Sequence, residues 1–212
     1  MTTVAERIAA ALAPHVTEVF GLMGNGNAFL IDAMMRLSGV RYTAVRHEAA
    51  TVASADAYHR VCRRVAVATT TYGAGFTNML TPLAEAAQAR IPMLVIVGDA
   101  PSAGPRPWDV DQAALARAVG VETFLVDERT PGATAIAALR AALHDRRPVV
   151  LALPYDLPTR PAAEEALEQP AGLEPEAIVP DAQALQAAAD ALLGAERPLV
   201  LAGRGAARAT EE

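Results

Sequence analysis

Lysine is absent from this sequence, because all 18 basic residues are arginines. This absence excludes a P-loop lysine and a lysine that forms a Schiff base with a substrate or with pyridoxal phosphate. The three serines lie outside any G-x-S-x-G motif, and the four histidines and one cysteine show no metal-ligand spacing. We therefore predict no metal site in this chain, and if it is an enzyme, an organic cofactor carries its chemistry.

Long apolar runs, a second cysteine and a basic stripe are also missing. The longest apolar runs, Met93–Val97 and Val149–Leu153, are too short to span a bilayer and suit buried parallel strands. Cys62 has no partner for an internal disulfide, and the first residues lack the layout of a signal peptide. The net charge of −6 is scattered along the chain. These features predict a cytoplasmic protein that binds neither nucleic acid nor membrane.

Short apolar strands alternate with helical segments along most of the chain. The alternation predicts an α/β fold, with a parallel sheet covered by helices on both faces. The predicted strands are Glu18–Gly21, Val40–Val45, Val65–Thr69, Met93–Val97, Thr123–Val126 and Val149–Leu153. The predicted helices are an opening helix capped by Thr3 and Glu6 and ended by Pro14, then Ala28–Leu37, Ala49–Cys62, Phe76–Arg90, Gln112–Val119 and Gly132–His144.

Proline becomes frequent after Leu153. This change predicts a first domain over residues 1–157, a Pro-rich linker over 158–180 and the start of a second α/β domain over 181–212. The last part offers one helix, Asp181–Leu193, and one strand, Pro198–Ala202.

Distinctive loops follow three of the predicted strands, at the sheet edge where ligands of parallel sheets bind. They are Gly21–Asn27, Arg46–Glu48 and Thr69–Asn78. Each has an ordinary structural explanation. The glycines supply positive φ angles, Glu48 favours the positive end of a helix dipole, and Thr77 and Asn78 are helix-cap residues.

Taken together, these loops resemble the pyrimidine-binding domain of thiamine-diphosphate enzymes of the acetolactate synthase and benzoylformate decarboxylase type. The resemblance covers roughly residues 1–157 and is carried by Val19–Asn27, Arg46–Tyr58, Gly73–Asn78 and Ile91–Asp99. It implies the thiamine-diphosphate-binding fold and the pyrimidine-binding component of a 2-oxo-acid carboligase or decarboxylase. Thiamine diphosphate is the implied cofactor, and a 2-oxo acid is the implied substrate.

The resemblance also assigns roles to individual residues. Glu48 matches the carboxylate that activates the cofactor by hydrogen bonding to its pyrimidine ring, and Ala49, Ala50 and Val52 would make its surroundings apolar. We interpret Arg46 and His47 as structural partners. Met23 and Ala74 stand where the family often has proline. The predicted cofactor-binding residues are Gly24, Gly26, Glu48, Gly73, Gly75 and Asn78, and the predicted substrate-side residues are Asn25, Asn27, Thr71 and Gln112.

The Gly-Asp-Gly…Asn signature that holds the diphosphate and Mg²⁺ in full-length relatives is absent from this sequence. We therefore expect the Mg²⁺ site on a complementary domain or subunit, in a split, proteolysed or truncated chain that forms a homo- or hetero-oligomer. The loops would then expose Met23, Phe76 and Met79 for association. The sequence does not decide whether FAD binds. A non-catalytic regulatory subunit and an independent flavin- or dinucleotide-binding module remain alternatives.

Overall fold

The structure, a computed structural model, describes residues 1–164, 173, 179–203 and 205–206. The chain divides into two compact units, Met1–Pro175 and Glu176–Glu212. The first unit contains a six-stranded sheet in which every neighbouring pair of strands is parallel. Its strands are β1 (Glu18–Gly21), β2 (Arg41–Ala44), β3 (Val67–Thr70), β4 (Met93–Asp99), β5 (Glu122–Leu125) and β6 (Pro148–Pro154).

Helices connect the strands, and their ends follow local sequence signals. Thr3 and Glu6 form the predicted capping box, and Gly39 ends the second helix in a left-handed conformation with φ 64°. The helices of the first unit are α1 (Val4–Leu12), α2 (Ala28–Ser38), α3 (Glu48–Cys62), α4 (Ala74–Asn78), α5 (Leu80–Gln88), α6 (Gln112–Ala118) and α7 (Pro131–Asp145).

The sheet separates two hydrophobic cores, because successive side chains of a strand point to opposite faces. In β4, Leu94 and Ile96 join the core under α1, α2 and α7. Met93, Val95 and Val97 pack into the core under α3, α5 and α6. The predicted α/β fold, with a parallel sheet and helices on both faces, is confirmed.

The strand order, β2-β1-β3-β4-β6-β5, brings four loop-bearing strands side by side. All strands are parallel, so the loops after β2, β1, β3 and β4 meet at one edge of the sheet. The chain leaves β1 for β2 on one side and returns to β3 on the other side. Such a reversal point is where open α/β sheets bind their ligands.

The helix predicted over Phe76–Arg90 is wrong as a single element. It is interrupted at Met79, whose φ of −93° and ψ of −3° depart from the values of a regular α-helix, so that α4 and α5 are separate helices. The predicted exposure of Phe76 and Met79 is also wrong, since both are 0% exposed in the core under α3. Met23 is 56% exposed, as expected.

The second unit is described only in part. Its helix α8 (Ala182–Leu193) confirms the helix predicted over Asp181–Leu193 except at its first residue. Asp181 caps the helix instead, because its side chain accepts two backbone N–H groups. The strand predicted over Pro198–Ala202 is wrong, because those residues are exposed and form no strand in the described part of the chain. A strand needs a neighbour to satisfy its backbone groups.

The start of the predicted linker is attached to the first unit. The N–H groups of Val4 and Ala5 donate to the carbonyls of Arg160 and Pro158, at 3.0 and 3.1 Å. Residues 165–172 and 174–178 of the predicted linker lie outside the described residues. The domain bounds 1–157, 158–180 and 181–212 stay a prediction. Across the described ranges, the helices fall short of the length and hydropathy that crossing a membrane requires.

Candidate active site

Glu48 is placed by the junction between β2 and α3, where it is the first residue of the helix. His47 caps this helix, because its Nδ1 accepts the N–H of Ala49 at 3.2 Å. The half-buried carboxylate of Glu48 accepts a hydrogen bond at Oε2 from Nδ2 of Asn78, at 2.9 Å. Its other oxygen, Oε1, has no hydrogen-bond partner among the described residues. The structure therefore brings Glu48 and Asn78 together and leaves one carboxylate oxygen without a partner among the residues that it describes.

The glycine turn after β3 lies beside this free oxygen. A Cβ added to Gly75 would lie 2.9 Å from Oγ1 of Thr70 and from Cγ2 of Thr71, and 3.7 Å from Oε1 of Glu48. Only glycine allows this approach of α4 to the end of β3. Gly73 adopts φ 63° and ψ −120°, and no described atom lies within 4 Å of the Cβ that it lacks. The turn thus brings the backbone of Gly75 close to the carboxylate, while the side of Gly73 on which a Cβ would lie is not covered by a described side chain.

The first glycine loop packs against the second. A Cβ on Gly24 would lie 2.8 Å from Cβ of Thr71, and a Cβ on Gly26 would lie 2.9 Å from Cα of Gly98. The N–H of Gly26 donates to Oγ1 of Thr71 at 3.1 Å. Gly24 and Gly26 therefore allow the loops to touch each other, and their contact with the cofactor stays a prediction. Thr71 is likewise committed to contacts within the chain.

Asn27 is a buried residue that forms hydrogen bonds within the chain, with 1% of its surface exposed. Its Oδ1 accepts the N–H of Gly24 at 2.8 Å. Its Nδ2 donates to the carbonyl of Leu22 at 3.2 Å and to Oγ1 of Thr69 at 3.1 Å. Both ends of the amide are occupied inside the chain, and the predicted role of Asn27 toward substrate stays a prediction.

Gln112 is a second buried residue whose amide forms hydrogen bonds within the chain, and it is 3% exposed. Its Oε1 accepts the N–H of Gly73 at 2.7 Å. Its Nε2 donates to the carbonyl of Gly98 at 2.8 Å and to Oδ1 of Asp99 at 3.0 Å. This amide joins the turn after β3 to the end of β4. Its substrate-side role also stays a prediction, whereas the exposed Asn25 donates from Nδ2 to the hydroxyl of Tyr72 at 3.2 Å.

Sequence reasoning missed Asp99 and a cluster around Arg106. Burial raises the pKa of the Asp99 carboxyl above its usual value, although hydrogen bonds from the Ala100 N–H and the Gln112 amide oppose that shift. Arg106 pairs with Asp109 and lies against three aromatic rings. An acid at the end of a strand and an Arg-x-x-Asp spacing are the sequence signals that could have identified them.

A protein-family model gives this edge of the sheet an identity. The model of the family described as "Thiamine pyrophosphate enzyme, N-terminal TPP binding domain" matches residues 2–115. The chain belongs to the thiamine pyrophosphate (TPP) enzyme family. The matched range of this TPP domain includes every predicted site residue, and it confirms the resemblance drawn from the loops.

Individual relatives of the TPP domain carry the names of enzymes. The chain is 32% identical over 205 residues to "Probable 2-ketoarginine decarboxylase AruI" of Pseudomonas aeruginosa, and this alignment covers 92% of this chain and 36% of that protein. It is 30% identical over 200 residues to the "Acetolactate synthase isozyme 3 large subunit" of Escherichia coli K12, covering 90% and 35%. It is 30% identical over 202 residues to "Glyoxylate carboligase" of Escherichia coli O157:H7, covering 90% and 33%. The chain spans about a third of the length of these relatives.

The residues of the TPP domain fit the pyrimidine part of the cofactor. A carboxyl group can form a hydrogen bond with a ring nitrogen of a pyrimidine, and glycine allows backbone to approach a flat ring closely. Glu48 supplies a half-buried carboxylate whose Oε1 has no hydrogen-bond partner among the described residues, and a Cβ added to Gly75 would lie 3.7 Å from that oxygen. No group of three or more metal-ligating His, Cys, Asp or Glu side chains occurs in the part of the chain that the structure describes.

Proposed function

We propose that this chain is the pyrimidine-binding component of a thiamine-diphosphate-dependent 2-oxo-acid carboligase or decarboxylase. Glu48 is the residue that activates the cofactor in this proposal. The observation that carries it is the state of the Glu48 carboxylate, which Asn78 fixes at Oε2 and which keeps Oε1 free beside the glycine turn. Two of the relatives carry names of 2-oxo acids, 2-ketoarginine and glyoxylate, and these names support the substrate class.

When bound, thiamine diphosphate would supply a carbon nucleophile for the carbonyl carbon of the substrate and a cationic ring that takes up the electron pair released when the substrate bond breaks. This chain contributes a proton-holding group and its orientation. Oε1 of Glu48 would hold the proton shared with the pyrimidine ring, because Oε2 already accepts a hydrogen bond from Asn78. Asn78 is itself placed by α4, which the buried side chain of Phe76 anchors in the core. The carboxylate is therefore oriented before the cofactor arrives.

The diphosphate, the Mg²⁺ ion and the rest of the active site belong to a complementary domain or subunit in this proposal. The chain lacks the Gly-Asp-Gly…Asn signature and spans about a third of its relatives. Assembly, as a homo- or hetero-oligomer, would cover the edge of the sheet that carries Glu48. A cofactor bound only by the assembled state must stabilise that state.

The test is the exchange of the thiazolium proton of thiamine diphosphate for deuterium, measured by NMR on the chain assembled with its complementary domain and Mg²⁺. Glu48→Gln should slow this exchange by about 100-fold, the contribution typical of a positioned acid–base group. The matched control is Glu85→Gln, which alters an exposed glutamate of α5 and should leave the rate unchanged. Unchanged exchange in the Glu48 variant would refute the assignment and favour a non-catalytic subunit.

A further inference from the structure

The segment between β4 and α6 contains an arginine enclosed by aromatic rings. The guanidinium carbon of Arg106 lies 4.7 Å from the ring centroid of Tyr155 and 5.5 Å from those of Tyr72 and Trp108. Tyr72 follows β3, Tyr155 follows β6 and Trp108 lies in the segment between β4 and α6, so the rings come from the connections after three strands. A guanidinium is attracted to aromatic faces at these distances. One side chain thus contacts three separate loops.

Asp109 holds the guanidinium in a fixed orientation. Nη2 of Arg106 donates to Oδ1 at 2.7 Å, and Nε donates to Oδ2 at 3.0 Å. The backbone N–H of Arg106 donates to Oδ2 at 2.7 Å, while the N–H of Asp109 donates to the carbonyl of Arg106 at 3.0 Å. The side chains are only 24% and 7% exposed. Such a paired fork is geometrically specific, which a lysine cannot reproduce.

Tyr72 connects this arginine to the loops of the candidate active site. Its hydroxyl accepts the amide of Asn25, and its Cδ1 would lie 2.9 Å from a Cβ on Gly26. The next residue is Gly73, whose N–H is held by Gln112. The Tyr72 ring therefore contacts the first glycine loop, and its backbone leads directly into the second.

We propose that Arg106 is a positioning residue that clamps the loops after β3, β4 and β6 and thereby fixes both glycine loops relative to Glu48. The clamp consists of Arg106, Asp109, Tyr72, Trp108 and Tyr155. Its importance for catalysis rests on the proposed function, but its effect on the loops does not. Arg106 acts through Tyr72 and Gly73, and it need not touch cofactor or substrate.

The clamp can be tested in the 212-residue chain without cofactor or partner. Two variants, Arg106→Gln and Arg106→Lys, remove the planar guanidinium group. Arg106→Lys keeps the positive charge and serves as the test if Arg106→Gln does not fold. Hydrogen exchange of the Gly73 and Gly26 amides should accelerate about tenfold in both, while the amides of β4 keep their protection. Trp108 is the only tryptophan, so time-resolved fluorescence anisotropy should show a larger sub-nanosecond component.

Arg36→Gln is the matched control, because Arg36 also pairs with carboxylates, Glu6 at 3.0 Å and Asp32 at 3.5 Å, but lies at the end of α2. It should change neither readout. Unchanged Gly73 exchange and unchanged Trp108 anisotropy in a folded Arg106 variant would overturn the proposal, as would equal changes in the Arg36 variant. These readouts are independent of the Glu48 exchange test, so the two proposals fail separately.

Discussion

Replacing Gln112 by leucine tests whether its side chain stabilises the fold or serves to contact substrate. The substitution preserves approximate size but removes the amide that joins the turn after β3 to the end of β4. It leaves the N–H of Gly73, the carbonyl of Gly98 and the carboxyl of Asp99 without this partner. If the hydrogen bonds of the Gln112 amide stabilise the fold, the variant should be less stable than the parent chain even in the absence of any ligand.

The size of the loss follows from the hydrogen bonds. The two bonds to backbone groups contribute about 1 kcal/mol each and the bond to the carboxyl about 1.5 kcal/mol, which together give about 3.5 kcal/mol. Burial of the leucine side chain returns about 1 kcal/mol. The free energy of unfolding should therefore fall by about 2.5 kcal/mol. At a urea dependence of about 2 kcal/mol per molar, the midpoint should move down by about 1.2 M.

Urea unfolding followed by circular dichroism measures this shift. The control is Gln88→Leu, which changes an exposed glutamine at the end of α5 and should alter stability by less than about 0.5 kcal/mol. A urea midpoint for Gln112→Leu that matches the parent chain would show that the three hydrogen bonds make no net contribution to the free energy of unfolding. That result would refute the structural role of Gln112.

Three further substitutions probe the same edge of the sheet. Thr70→Val should raise the free energy of unfolding by about 1 kcal/mol, because Oγ1 of Thr70 is buried without a partner among the described residues. Gly26→Ala should lower it by about 1–3 kcal/mol, since the new Cβ would meet the backbone of Gly98 at 2.9 Å. Asp99→Asn should stabilise the chain at neutral pH, because the folded state raises the pKa of Asp99 above 3.8 and binds its proton more tightly than the unfolded chain. Stability of the parent chain should therefore fall as pH rises above 3.8, and the advantage of the Asp99→Asn variant should vanish below that pH.

Each of these is read by urea unfolding. Thr43→Val, at an exposed threonine of β2, controls for the general effect of valine in a strand. A destabilised Thr70→Val chain would indicate that the hydroxyl has a partner after all. Parallel pH profiles for the parent chain and Asp99→Asn would contradict the burial argument, and an unchanged midpoint for Gly26→Ala would contradict the close contact.

Apolar runs predicted the central strands well, because a strand that is buried on both faces has apolar residues at consecutive positions. Met93–Val97 and Val149–Leu153 fall within β4 and β6. Apolar spacing did not show the break at Met79, since Phe76, Met79, Leu80 and Leu83 keep a helical spacing across it. Pro82 is the sequence signal for it, because proline has no N–H to donate to the preceding turn and is tolerated only in the first turn of a helix. Periodicity reports which side chains favour burial, but it does not report where a backbone bends.

The site was predictable in its position but not in its internal bonding. Glu48 and the glycine turns follow strands, so the topology of a parallel sheet was enough to place them together. Gln112 reaches Gly73 across 39 residues of sequence, and Asn27 reaches Thr69 across 42. An amide at such a distance could donate to backbone or to substrate, and only the folded contacts distinguish these two uses.

The position of β6 between β4 and β5 has a consequence for synthesis of the chain. In the described part of the sheet β5 has β6 as its one neighbour, so it must wait for about 30 more residues before it can pair. At about 5–20 residues per second, that delay on the ribosome lasts about 2–6 s. Val4 of α1 waits longer, until Arg160 supplies the carbonyl that its N–H requires. The first unit should therefore fold late and as a whole, after its last strand has emerged, rather than element by element from the N-terminus.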